Sequence, residues 1–243
     1  MTISLEPLAA FIAAATGSAF RVEATQPISS GSKWRTLRVD NANGATPPQV
    51  FAKIGDADSL TVFEAERDGL ALLRSANSAL RIPRVIACGK VAEQSLLILE
   101  WIDLKPLGAQ SGAALGSALA DAHRSRAAKF GLERDNFIGA TPQINTQEDD
   151  WVTFWQHHRL LYQLCLAAKN RYPSQLINRG ERLVADCAGF FQSYRPQASL
   201  LHGDAWAGNV ATDGAGTPVM FDPAVYYGDR EADVAMSDYQ TNQ

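Results

Sequence analysis

LLHGDAWAGNV, residues 200–210, places His202, Gly203, Asp204 and Asn209 in the order H-G-D-x-x-x-x-N between apolar neighbours. SLLHGD reads as a short strand running into a tight turn at Gly203, and PVMFDP (218–223) as a second strand, with DGAG (213–216) as the turn between. Two aspartates, Asp204 and Asp222, are thereby expected to end neighbouring strands. A lone HGD would be no more than a turn with an Asx cap. The complete pattern with a later strand-end aspartate is much more specific, and it matches the parts needed for phosphoryl transfer. A hydroxyl nucleophile needs a carboxylate to orient it and take its proton, which is the role expected of Asp204. Mg²⁺ is a hard cation that takes oxygen ligands and few protein groups when phosphates and water fill its octahedron, which suits Asn209 and Asp222.

Working outward, the 243 residues are 46% hydrophobic, enough for one large domain or two modest lobes. A net charge of −4 and no clustered Lys/Arg excess argue against a nucleic-acid partner. Cys88, Cys165 and Cys187 lie far apart with no CxxC, and read as reduced thiols of a cytoplasmic protein. LAAFIAAATGSAF (8–20) follows Glu6-Pro7 rather than basic residues and reads as an N-terminal helix, not a targeting segment; no run reaches membrane-spanning length.

Upstream text supplies an independent test. PISSGSKWRTLRVD (27–40) reads as a polar loop, with Gly31 permitting close backbone approach and Ser32 offering a donor to phosphate, although one glycine is a weak signal. QVFAKI (49–54) alternates as a strand and puts Lys53 on the face opposite Val50, Ala52 and Ile54. SLTVFEAERDGLALLRSA (59–76) is an amphipathic helix. A strand lysine held by a helix glutamate is what an ATP α/β-phosphate site requires, and Lys53 with Glu66 fit, Glu64 being a rival. SLLILEWI (95–102) reads as a buried strand whose backbone around Glu100, Trp101 and Ile102 could meet adenine, a reading no stronger than that of a plain core strand. A boundary is drawn there, giving lobes 1–102 and 103–243. The second half is helical at 113–130, 150–170 and 176–194, with one long loop, GLERDNFIGATPQINTQED, between the first two helices.

The motifs FAKI, FEAERDGLALL, LLILEWIDL, DNFIGATPQIN, DDWVTFWQHHRL, LLHGDAWAGNV and FDPAVYYGDREADVAM resemble the fructosamine (ketosamine-3-) kinases, a branch of the aminoglycoside-phosphotransferase-like kinases. The resemblance implies an α+β, two-lobed protein-kinase-like fold, with a small antiparallel-sheet N-terminal lobe and a mainly helical C-terminal lobe. It implies phosphorylation of the sugar 3-hydroxyl of ketoamines, small or on glycated protein lysines, with ATP and Mg²⁺, as a deglycation step. Carried over by position, Lys53 and Glu66 match the lysine–glutamate pair, Asp204 the base, and Asn209 and Asp222 the metal ligands. Trp206 matches a tryptophan whose flat face could pack on the sugar; a buried core anchor is the open alternative. Tyr226, Tyr227, Asp229, Glu231 and Asp233 are expected to brace the loop after Asp222, His202 to hold the catalytic loop by a hydrogen bond to backbone, and His123 to serve in packing or hydrogen bonding. Ala205 and Ala207 stand where the family has Leu and Ser, and the second loop glycine is missing. The family pattern continues for several helices beyond EADVAM, so the C-terminal lobe is expected to be incomplete, the nucleotide side kept and the sugar side thinned. Competing expectations are an aminoglycoside-like phosphotransferase and a shortened nucleotide-binding homologue with little turnover.

Overall fold

The computed structural model describes residues 4–28, 33–42, 46–76 and 78–238. They form two compact units, discontinuous in sequence: 1–75, 79–115 and 210–222 in the first, 76–78, 116–209 and 223–243 in the second. A single cut after Ile102 does not describe them, because the segment 210–222 packs with the N-terminal half.

The first unit is built on a five-stranded antiparallel sheet of order β1-β2-β3-β5-β4. Its strands are β1 (Val22–Pro27), β2 (Arg35–Asn41), β3 (Gln49–Asp56), β4 (Val85–Val91) and β5 (Gln94–Glu100). Alternation in β2 and β3 turns Leu37, Val39, Val50, Ala52 and Ile54 to one face, where they meet Leu96 and Ile98 and the helix α1 (Leu5–Thr16) through Leu8 and Ile12. Leu8 and Ile12 are fully buried, each contributing roughly 1.5–3 kcal/mol, so a charge at Ile12 would detach the helix. α1 ends where Gly17 takes a left-handed φ of 65° and returns its N–H to the Ala13 carbonyl. α2 (Leu60–Ser75) packs on β4 and β5 and buries Phe63, Glu66, Leu70 and Leu73. Glu66 is the one charged residue in that buried stripe.

The polar loop read over 27–40 does not extend to Asp40, since β2 already begins at Arg35 and pairs with both β1 and β3. β9 (Val210–Thr212) and β10 (Pro218–Met220) form the hairpin around DGAG. Asp213 closes its turn by accepting from the N–H groups of Ala215 and Thr217. The hairpin is tied to the rest of the unit by bridges Arg81–Val219 and Lys105–Thr212 and by the Arg81–Asp213 ion pair at 2.8 Å.

In the second unit, β8 (Ser199–Leu201) pairs with β11 (Tyr226–Gly228). The strands leading to the two aspartates are therefore not partners of each other: β8 takes β11 and β10 takes β9. α3 (Ala109–Ala122) stops eight residues short of the helix read to Phe130, because the backbone beyond it is captured by β8, Ser125 accepting from Leu200 N–H and Ala127 donating to Ala198. The loop between helices carries a hairpin, β6 (Asn136–Ile138) and β7 (Thr141–Gln143). Asp150 then caps α4 (Trp151–Trp155) by accepting from Thr153 N–H at 2.8 Å. A π-helical stretch, Gln156–Leu161, joins α4 to α5 (Tyr162–Lys169), and α6 (Ser174–Asp186) and α7 (Glu231–Asp238) follow. Trp151, Phe154, Phe130, Leu201 and Tyr226 form the core of the unit. Among the described residues no helix is long and apolar enough to cross a membrane.

Candidate active site

In the first unit the Lys53 ammonium lies 2.8 and 2.7 Å from the two Glu66 carboxylate oxygens and 3.0 Å from Asp222 Oδ1. Strand β3 delivers the lysine and helix α2 the glutamate, so the pair is fixed by two regular elements. Lys53 and Glu66 side chains are 4% and 8% exposed and that of Asp222 is 46% exposed. Burial pulls the Lys53 ammonium down, but the two carboxylates outweigh it and hold the group charged, well above its ordinary range. Burial also pushes Glu66 up, against the attraction of Lys53 and with the repulsion of Asp222. Glu64 is not the partner, which settles the rivalry in favour of Glu66. Asp222 sits at φ 55°, a left-handed conformation that Asp tolerates better than most residues, in the turn after β10.

Trp34 lies against this pair. Its indole Nε1 donates to Ser59 Oγ at 3.1 Å, its ring meets Phe63 edge-on, and Lys53 Nζ is 5.7 Å from the ring centroid. Gly55 makes the room, since a Cβ there would collide with the Ser59 side chain and crowd Trp34. At the end of β5, Glu100 N–H donates to the Arg84 carbonyl and its carboxylate accepts from Arg84 N–H. The Glu100 amide is thus engaged; Arg38 packs on the Trp101 ring at 5.5 Å and Ile102 is buried. Gly31 and Ser32 lie outside the described residues.

In the second unit the HGD turn is held from beneath. Asp233, 1% exposed in the first turn of α7, accepts from His202 N–H at 2.8 Å with one oxygen and from Gly203 N–H at 2.9 Å with the other. His123 Nε2 lies 2.9 Å from Asp233 Oδ2, and His202 Nδ1 accepts from Asp204 N–H at 3.3 Å. His202 and His123 therefore make structural hydrogen bonds, as expected, but Asp233 braces the HGD turn itself. From the other side Ala224 N–H donates to the His202 carbonyl at 2.9 Å, and the Ala224 carbonyl fills the space a side chain at Gly203, φ 80°, would need. Asn209 Nδ2 donates to Asp204 Oδ2 at 2.9 Å and to the Asp204 carbonyl at 3.0 Å, closing the loop between them. The amide's hard-oxygen donor is then Oδ1. Trp206 is half-buried, with its ring folded onto the backbone of Gly208.

The segment after Asp222 has a second anchor that sequence reasoning missed. Asn136 donates to the Val225 carbonyl at 2.7 Å, and Gln143 to the Ala224 carbonyl at 3.0 Å. Asn145 joins this network through Asn136 Oδ1, and Arg159 through Asn145 Oδ1, its guanidinium lying 4.1 Å from the Tyr226 ring centroid. The hairpin β6–β7 and the π-helical stretch thereby fix the backbone facing the HGD turn. Asn136, Gln143 and Asn145 stand in the sequence as ordinary polar loop residues, so no local pattern signals these contacts.

Among the described residues no group of three or more His, Cys, Asp or Glu side chains is placed to hold a metal unaided. Asn209 Oδ1 and the half-exposed Asp222 carboxylate are both hard oxygen donors, the chemistry Mg²⁺ accepts.

A family model described as fructosamine kinase matches residues 5–242. The chain belongs to the fructosamine kinase family. It is 35% identical over 239 residues to a protein named a probable ketoamine kinase from Synechocystis sp., covering 96% of this chain and 77% of that one. It is 39% identical over 192 residues to the chloroplastic protein-ribulosamine 3-kinase of Arabidopsis thaliana, covering 77% of this chain and 58% of the relative. A crystal structure assigned as a fructosamine-3-kinase from Haemophilus somnus superposes with a TM-score of 0.84 at 26% identity, covering 96% of this chain and 76% of that chain. The fold is accordingly the α+β protein-kinase-like fold of this family, and the chain is a fructosamine kinase homologue spanning about three quarters of the length of the Synechocystis relative.

Proposed function

We propose that the chain transfers the γ-phosphoryl group of ATP to the sugar 3-hydroxyl of a ketoamine, a small fructosamine or ribulosamine or the same adduct on a protein lysine. Family membership makes the chain a kinase, and relatives named ketoamine kinase and protein-ribulosamine 3-kinase support this acceptor class. The observation that carries the reading is Lys53, held charged between Glu66 and Asp222 at 2.7–3.0 Å. A buried ammonium with a fixed direction is a phosphate clamp, and Glu66 keeps it from swinging away when no phosphate is present.

Asp204 is the base in this reading. Asp233 and Ala224 fix the HGD backbone that carries the carboxylate, whose part would be to orient the sugar hydroxyl and accept its proton as the oxygen attacks the γ-phosphorus and ADP departs. Mg²⁺, held by Asn209 Oδ1 and Asp222, would offset the charge of the phosphate oxygens. The Asn209 amide hydrogen-bonds the Asp204 carboxylate and carbonyl, which fixes the two side chains relative to each other. Trp206 offers a flat apolar face to the sugar, and the Glu100 carbonyl with the Trp101 and Ile102 peptides would face adenine.

The test is phosphate transfer from labelled ATP to a synthetic fructosyl-lysine and a ribulosyl-lysine, with an aminoglycoside and no acceptor as comparisons. Asp204→Asn should lower turnover roughly 10²–10⁴-fold with nucleotide affinity little changed. Turnover on the aminoglycoside alone would transfer the chain to another acceptor class, and wild-type-like turnover in the variant would remove Asp204 from the role.

A further inference from the structure

Thr36 is opposite Lys53 in the β2–β3 register. Residues directly opposite in an antiparallel pair point to the same face with their Cβ atoms about 4.5–5.5 Å apart. Trp34, two residues earlier, confirms which face this is, since its ring lies by Lys53 Nζ. Thr36 is 5% exposed, and its hydroxyl Oγ1, buried, has no hydrogen-bond partner among the described residues. A buried hydroxyl left unpaired carries its full desolvation cost, and a valine would fill the same volume without it. Among the described residues nothing uses the hydroxyl: the β2 ladder is made by the backbone, and the Thr36 carbonyl already accepts from Ile28 N–H at 3.1 Å. Lys53, at 3% exposure, is as deeply set. A hydroxyl without a partner among the described residues therefore stands beside the root of the Lys53 side chain, on the face from which that side chain reaches Glu66 and Asp222.

We propose that Thr36 Oγ1 is a phosphate ligand of the nucleotide, donating to an oxygen next to the one that Lys53 meets. The inference rests on the kinase reading above and adds a contact to it. The hydroxyl, without a partner among the described residues, becomes paired when an anionic oxygen arrives at Lys53. The site thus converts a penalty carried by the free state into affinity for the phosphate chain. Because the contact is at Lys53 and not at the end of β5, it belongs to the phosphates and not to the base.

The experiment is calorimetric titration of the wild-type chain, Thr36→Val and Thr36→Ser with ATP, ADP and adenosine, beside the melting temperature of each protein without ligand. Valine should weaken ATP and ADP about tenfold, the scale of a hydrogen bond to a charged group, and leave adenosine unchanged. Serine should restore ATP binding. Without ligand the valine variant should melt at or above the wild-type temperature, the opposite sign to its effect on ATP. Equal ATP affinity in the valine variant, an equal loss for adenosine, or a lowered ligand-free melting temperature with ATP binding intact would each overturn the inference. If the wild-type chain itself binds no ATP, the kinase reading falls with it; if it binds and the valine variant binds as well, only this contact is lost.

Discussion

Replacing Lys53 by methionine should destabilise the protein far more than removing a surface lysine would. The variant leaves Glu66, 8% exposed, without the ammonium that both of its oxygens contact, while Asp222, 46% exposed, can turn to solvent. Breaking a buried ion pair from one side costs about 3–5 kcal/mol, against about 0–1 kcal/mol for an exposed pair. Replacing both partners, Lys53→Met with Glu66→Leu, removes the stranded charge and should recover most of the loss. The sign of the pH dependence follows from Glu66. With Lys53 gone, burial and the Asp222 carboxylate push Glu66 further up than the about 7 at which it stands in the intact protein. Above the ordinary carboxylate range the folded variant then holds a proton the unfolded chain releases. Its stability falls as pH rises toward and through neutrality, by at most about 1.4 kcal/mol per pH unit. Urea unfolding followed by circular dichroism at pH 5.5 and 7.5 measures both quantities. A single-variant cost below about 1 kcal/mol at pH 7.5, or a double variant no more stable than Lys53→Met, would show that Lys53 and Glu66 do not form the buried pair described.

Gly208→Ala should damage acceptor use through Trp206, because the added Cβ would fall within contact of Cη2, Cζ2 and Cζ3 at once, over the ring face. The loss in acceptor KM should vanish when Gly208→Ala is made in a Trp206→Ala background; an undiminished loss there would place its origin in the turn backbone instead. Alkylation at pH 8 should label Cys165, which is exposed, well before Cys88, whose thiol burial pushes up to about 11, as read by peptide mass spectrometry; early labelling of Cys88 would contradict its burial.

The parts of the site that a reader of the sequence could find were those written locally. Lys53 falls on an alternating strand, Glu66 on a helical face, and Asp204 and Asn209 in one short turn, so period and spacing place them. The helix α2 and strand β5 were legible for the same reason. What escaped notice was held by hydrogen bonds between distant parts of the chain. Asp233 holds the HGD turn from 30 residues away, Gln143 reaches Ala224 across 81, and neither contact leaves a local pattern. The helix read to Phe130 failed similarly, since helical spacing continues past Ala122 but β8 takes the backbone. Thr36 was hidden inside a stretch taken for a loop, where a threonine means little. Only as a strand residue opposite Lys53 does its hydroxyl acquire a meaning.

The allocation of residues 210–222 to the first unit bears on how the chain is made. On a ribosome the five-stranded sheet and its two helices emerge early, yet their last hairpin follows about a hundred residues of the other unit. Until then the backbones of Arg81 and Lys105 wait without the strands they will pair with, and Asp222 has not joined Lys53 and Glu66. Nascent chains halted before Val210 should therefore expose these edges to chaperones or to one another, and chains halted after Asp222 has cleared the exit tunnel should not. The first unit to begin folding is one that cannot finish until residues 116–209 of the second have been translated.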